Sequence, residues 1–200
     1  MITLNHLEKA VKAASSGGSS DHDLNPAFKG ALPERGVLRS AAVLIPVIER
    51  ANGWKVILTK RASHLKHHAG QVSFPGGKVE VGETVEAAAL REAEEEIGLP
   101  THSIRVIGAL GVHETVTNFT VTPFVAKVET FELVIDVGEV EEVFEVPLDF
   151  LMAPENMRVQ GRNWQGHRRQ YYTIPYGPYY IWGATARMIK VLADKVARCA

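Results

Sequence analysis

Between Thr84 and Gly98 the sequence reads TVEAAALREAEEEIG, a stretch that admits little besides a helix with two dissimilar faces. Val85, Ala89, Ala93 and Ile97 recur at helical spacing and form one apolar stripe that can pack on a sheet. The alanines at 87, 88, 89 and 93 allow that packing surface to come close. The stop is explicit, since Gly98 can take the left-handed C-terminal position and Pro100 prevents continuation. The remaining surface is acidic, with four carboxylates in the five positions from Glu92 to Glu96. At about 100° per residue, Glu95 and Glu96 fall about 60° and about 40° to either side of Glu92, while Glu94 points nearly the opposite way. Like charges at these spacings repel, each pair costing about 0.2–0.5 kcal/mol in an isolated helix.

A charge run is ordinarily a solvated face, and Glu and Ala are good helix formers. Three carboxylates on one face also make a hard oxygen-donor site, where a divalent cation such as Mg²⁺ turns repulsion into attraction. Magnesium holds few carboxylates and completes its shell with water and phosphate oxygens, which points to metal-assisted phosphate chemistry. The segment Phe74–Glu83 (FPGGKVEVGE) leads directly into the helix. Its Gly76, Gly77 and Gly82 permit positive φ and let the backbone approach a ligand or metal closely. It is not a Walker A loop, because position 72 is valine and Val79 stands where Ser or Thr is required.

Around this segment the chain reads as a mixture of strands and helices. Apolar runs at Val37–Ile48 and Trp54–Thr59, with the turn signal Asn52-Gly53 between them, predict a hairpin. Further strands are expected at Ile104–Leu110, Val121–Val128 and Glu142–Val146, and a last helix at Ala184–Ala197. At the other end Ile2, Leu4, Leu7, Val11 and Ala14 predict an amphipathic helix, followed by Ser15–Ser20 (SSGGSS), the composition of a flexible linker. The expected organisation is residues 1–36 as helix and linker, and residues 37–200 as one α/β domain.

Charge and cysteine usage narrow the function classes. With 22 Lys and Arg against 23 Asp and Glu, the chain lacks the basic excess of a general nucleic-acid binder. Its single cysteine, Cys199, excludes an intrachain disulfide and suits a reducing compartment. No apolar run approaches the ~20 residues of a membrane span, and charged residues interrupt the N-terminal segment where a signal peptide would be apolar. These features lead us to expect a cytoplasmic protein with no nucleic-acid or membrane partner.

Taken together, Gly77–Leu99 resembles the Nudix box: Gly, five residues, Glu, seven residues, Arg-Glu, an apolar residue, any residue, Glu-Glu, any residue, Gly and an apolar residue. Here these are Gly77, Glu83, Arg91, Glu92, Ala93, Glu95, Glu96, Gly98 and Leu99, with Ala93 a small occupant of the apolar position. The resemblance implies an α-β-α sandwich around a mixed sheet, and hydrolysis of a nucleoside diphosphate linked to another group. It implies that Glu92, Glu95 and Glu96 hold Mg²⁺ or Mn²⁺ and serve catalysis, Glu92 and Glu96 being the strongest ligand candidates. Arg91 then orients the loop acid Glu83. One glutamate takes the proton of a metal-bound water. A further ligand or base often comes from outside the box, for which Glu139, Glu141 and Glu142 are candidates.

The preceding segment, Leu58–Gly77 (LTKRASHLKHHAGQVSFPGG), resembles the signature of the coenzyme A pyrophosphatase branch of that family. Arg61, Ala62, Gly70, Phe74, Pro75, Gly76 and Gly77 stand where the signature has them. Ile57 replaces the first of a usual leucine pair, and Lys66 replaces an arginine, which keeps the charge but loses the planar fork. Lys60, Arg61 and Lys66, with His64, His67 and His68 nearby, form a cationic patch suited to the 3′-phosphate that coenzyme A carries besides its diphosphate. Arg61, Lys66, Gly76 and Gly77 are therefore the expected substrate contacts. Thr117–Phe124 and Ile181–Ala186 also resemble this branch, so the likeness spans Val37 to Lys195, with Phe119 and Trp182 read as core residues. The expected products are 3′,5′-ADP and 4′-phosphopantetheine compounds. Competing readings are a Nudix hydrolase for another diphosphate such as ADP-ribose, and a non-catalytic nucleotide sensor. The pattern leaves a homodimer open.

Overall fold

The run Ala41–Ile48 is apolar on both of its alternating sides, the pattern of a strand buried on two faces. In the computed structural model, which describes residues 1–13, 17–26, 38–164 and 167–199, this run lies in β2 (Arg39–Arg50), near the middle of a mixed sheet. In full, the strands are β1 (Ser19–Ser20), β2, β3 (Gly53–Arg61), β4 (Val72–Ser73), β5 (Gly76–Lys78), β6 (Ile104–Ala109), β7 (His113–Glu114), β8 (Phe119–Val128), β9 (Val140–Pro147), β10 (Arg158–Trp164), β11 (His167–Tyr176) and β12 (Tyr179–Trp182). The helices are α1 (Leu4–Lys12), α2 (Val85–Ile97), α3 (Leu148–Met152) and α4 (Gly183–Cys199). Among the described residues the main sheet has nine strands in the order β1-β7-β8-β2-β3-β4, with β5 on β2, β6 on β8 and β9 on β3. Strands β2 and β8 run parallel from the Arg39–Phe119 pair to the Ile48–Val128 pair, and β2–β3 is the expected hairpin.

Side-chain alternation divides the core in two. Ala42, Leu44 and Ile48 of β2 meet Ala88, Ala89, Ala93 and Ile97 of α2 on one face. Ala41, Ile45 and Val47 meet α1, α3 and α4 on the other. This is the α-β-α sandwich around a mixed sheet that the sequence predicts. Helix α2 begins where Thr84 accepts a hydrogen bond from the Ala87 amide at 3.1 Å, and it ends at Gly98 with φ of 69°.

Two features depart from the sequence reading. The segment read as a linker ends in a strand, since Ser19 and Ser20 pair in parallel with His113 and Glu114. Leu7 and Ala10 of α1 are fully buried in the same core as α4. Lys195, itself buried, donates from Nζ to the carbonyls of Ala10 and Ala13, which places a cation at the C-terminal end of α1. The boundary drawn at residues 36 and 37, and the expected strand start at Val37, lie outside the described residues. The second departure is an additional antiparallel sheet, β10-β11-β12, which the sequence reading left unassigned.

Candidate active site

Helix α2 presents Glu92 and Glu96 to the loop that carries β5, and the loop is shaped to receive them. A Cβ on Gly77 would stand 2.3 Å from Oε1 of Glu92, so only glycine lets that carboxylate lie against the loop backbone. At Gly76, φ is 154° and a Cβ would meet the Ala42 carbonyl oxygen at 2.3 Å, because β5 is pressed onto β2.

Arg91 ties the loop to the helix. Its Nε and one terminal nitrogen donate to the two oxygens of Glu83 at 2.9 and 3.1 Å. It also donates to the Lys78 carbonyl at 3.1 Å, to Glu92 at 3.1 Å and to Glu95 at 2.9 Å. The planar guanidinium thus serves three carboxylates and one carbonyl, a pattern that a lysine cannot match. These partners raise the Arg91 pKa further, the hydrogen bonds it donates to Glu83 contributing most.

The three box glutamates occupy different environments. Glu95 is exposed and held by Arg91. Glu92 is half-buried, and burial pushes its carboxyl up despite the pull of Arg91. Glu96 is only 3% exposed, and its Oε2 has no hydrogen-bond partner. Burial pushes Glu96 up to about 8, with Glu92 and Glu139 adding repulsion, against the attraction of Arg61 and the Gly76 amide. A buried carboxylate with an orphaned oxygen, facing two other carboxylates, is a donor set that a hard cation fits. Among the described residues no three His, Cys, Asp or Glu side chains are gathered as a ready cage.

Of the three acids considered outside the box, Glu139 is the one close enough to repel both Glu92 and Glu96. Glu141 accepts from Lys60 Nζ at 2.6 Å, and from the amide and hydroxyl of Ser63. Those hydrogen bonds, Lys60 foremost, hold its carboxyl down at about 2. Glu142 accepts from the Tyr179 hydroxyl at 2.5 Å. The bulge between Lys60 and Arg61 in the β3–β9 ladder explains why neighbours in sequence have different partners.

Among the expected substrate contacts, Arg61 lies at the site, with a terminal nitrogen 3.9 Å from Oε1 of Glu96. It also lines a 330 Å³ cleft whose walls include His68, Arg162, Arg169, Tyr171 and Trp182. Lys66 is not brought to the cleft wall; it is exposed in the loop after β3, as are His64 and His67. Trp182, read as a core residue, is only partly buried and faces the cleft. The sequence reading also passed over Arg162, Arg169 and Tyr171. Their signal was the alternate spacing 169, 171, 173 on one strand and 160, 162 on the other, which puts each set on a single face.

A family model described as the NUDIX domain matches residues 38–170. The "Uncharacterized Nudix hydrolase NudL" of Enterobacter sp. (strain 638) is 40% identical over 160 residues, covering 79% of this chain and 83% of the relative. The protein of the same name from Escherichia fergusonii is 41% identical over equal shares. A crystal structure of a MutT/nudix family protein from Enterococcus faecalis shares the fold at a TM-score of 0.54 and 16% identity, covering 99% of this chain and 75% of that one. Since the family model spans residues 38–170, with the Gly77–Leu99 motif inside them as loop and helix, the chain belongs to the Nudix hydrolase family.

Proposed function

We propose that this Nudix hydrolase is metal-dependent and cleaves the diphosphate of coenzyme A or its derivatives, yielding 3′,5′-ADP and 4′-phosphopantetheine compounds. The observation that carries the reading is the position of Arg61. It stands beside Glu96 and opens onto a cleft lined by further cations and aromatic rings, as a diphosphate joined to a phosphorylated nucleoside requires. The likeness of Leu58–Gly77 to the coenzyme A branch signature supports the same substrate.

Glu92 and Glu96, with Glu95 and Glu139 alongside, would hold Mg²⁺ or Mn²⁺. When bound, such an ion neutralises diphosphate charge and lowers the pKa of a coordinated water. Removal of a proton from the attacking water falls to a carboxylate of this set. Arg61 supplies a cation for a phosphate oxygen. Gly76 and Gly77 let the loop lie against β2 and the Glu92 carboxylate, and the loop backbone there is the proposed contact for the diphosphate. Arg91 and Glu83 position the loop and the helix rather than touch substrate, because the donors of Arg91 are already engaged.

The test is hydrolysis of coenzyme A, dephospho-coenzyme A and ADP-ribose side by side, with Mg²⁺, with Mn²⁺ and with EDTA, products being resolved by chromatography. Metal-dependent release of 3′,5′-ADP, with coenzyme A preferred, is the expected result. Turnover of ADP-ribose alone would remove the coenzyme A assignment and leave the family chemistry. Turnover of none would favour a nucleotide sensor.

A further inference from the structure

One face of the β10–β11–β12 sheet carries an unusual arrangement of charge. Arg162 and Arg169 sit directly opposite each other across the antiparallel ladder, and Gln160 faces Tyr171 while Thr173 faces Trp182. By the two-residue alternation of strands, Arg162, Arg169, Tyr171 and Trp182 all project to the same side, and all four line the cleft. Like charges in direct cross-strand register destabilise a sheet unless something answers them.

Among the described residues only Arg169 of this pair has a carboxylate partner. Oδ2 of Asp21, from the turn after β1, lies 3.2 Å from Arg169, and the same carboxylate accepts from the Val116 amide at 3.1 Å. Arg162 has no acidic partner among the described residues. Its guanidinium carbon lies 4.8 Å from the centroid of Trp182 and 6.0 Å from that of Tyr171. The two rings meet edge to face at 5.3 Å. An arginine set over an aromatic face keeps N–H groups free to donate, the geometry that suits a phosphate. Arg61, at the glutamate end of the cleft, is already drawn to Glu96. Among the described residues Arg162 is therefore the guanidinium of the cleft whose charge is left for a ligand.

We propose that Arg162, carried on Trp182 and Tyr171, is the specificity residue for a phosphate monoester on the nucleoside half of the substrate, apart from the diphosphate that is cleaved. The assignment rests on the nucleotide diphosphatase reading of the site and moves recognition of the second phosphate from Lys66 to the β10–β11 hairpin. The hairpin residue Arg162 and the N-terminal Asp21 thereby become parts of one subsite, Asp21 holding Arg169 so that the register of the two arginines is tolerated.

Binding without hydrolysis tests this independently of substrate turnover. Calorimetric titration of the full chain with adenosine 3′,5′-bisphosphate and with 5′-AMP compares two ligands that differ by the one phosphate. The native protein is expected to favour the bisphosphate by about tenfold or more. Arg162→Gln should bring the two affinities close together, and Arg162→Lys should retain part of the difference. Circular dichroism of each variant confirms that the hairpin substitution leaves the fold intact. Equal affinity of the native protein for both nucleotides, or an undiminished preference in Arg162→Gln, overturns the proposal. A preference that Arg162→Gln abolishes upholds it even if coenzyme A is not cleaved.

Discussion

Gly77 shows how one atom controls the candidate site. All three of the nearest atoms to a Cβ placed there belong to the Glu92 carboxylate, the closest at 2.3 Å. The neighbour that must yield is the end of a flexible side chain, so Gly77→Ala should shift the carboxylate rather than unfold the loop. We expect the melting temperature to stay near that of the native protein while kcat falls by about tenfold or more, equivalent to about 1.4 kcal/mol in the barrier. An unchanged kcat would mean that the position of Glu92 against the loop does not matter to the reaction. The pairing of Arg91 with Glu83 was legible through the resemblance to the Nudix box, whereas its hold on Glu95 came from the structure. The separate fates of Glu139, Glu141 and Glu142 were not legible. They depend on a bulge opposite Lys60 and Arg61 and on Tyr179 from a distant strand.

At the scale of elements, helix α2 was readable because its determinants are local: the apolar stripe and the Gly98 stop lie within its own span, and the structure adds the Thr84 cap. Helix α1 was readable as a helix but not as part of the core. Val11 packs where a Cβ on the bulged Gly108 of β6 would come within 2.6 Å, and Leu7 is fully buried. Leu7→Ala should therefore cost about 2–5 kcal/mol of unfolding free energy, as truncation of a buried leucine does. Urea denaturation measures this, and a loss below about 0.5 kcal/mol would mean that α1 is dispensable to the fold. Sheet β10-β11-β12 escaped the sequence reading for the converse reason. In strand β10, Arg158–Asn163 is exposed and carries charged, amide and glycine residues, so no apolar alternation marks it. Its pairing with β11, rather than its own composition, makes it a strand.

The whole molecule is tied together by a charged network that links the N-terminal segment to the cleft. Asp21 is buried between His113 and Arg169, with Oδ1 3.4 Å from the His113 ring, whose other nitrogen lies 2.9 Å from the Ser19 hydroxyl. Burial alone would push the Asp21 carboxyl up, but His113, the Val116 amide and Arg169 outweigh it and hold the carboxyl below its usual 3.8. The unfolded chain therefore takes up this proton first as the solution is acidified. Stability from Asp21 is fully present above pH 3.8 and is lost as pH falls through the lower folded-state value. Asp21→Asn should lower the urea midpoint most at neutral pH, and the gap from the native protein should narrow as pH falls below 3.8. A gap independent of pH would exclude Asp21 as an ionised anchor.

Short-range spacing by itself determined the acidic helix and the glycine loop before it, because each rests on residues within about one loop and one helix of each other, and the resemblance of that span to the Nudix box implied the diphosphate chemistry. Only the tertiary structure decided which outlying acid approaches Glu96, that Ser19 and Ser20 extend the sheet, and that Arg162 and Trp182 face the same cleft as Arg61. Those outcomes depend on strand register between segments up to about a hundred residues apart. A shift of one residue in such a register would turn every side chain to the opposite face, and nothing local in the sequence sets it.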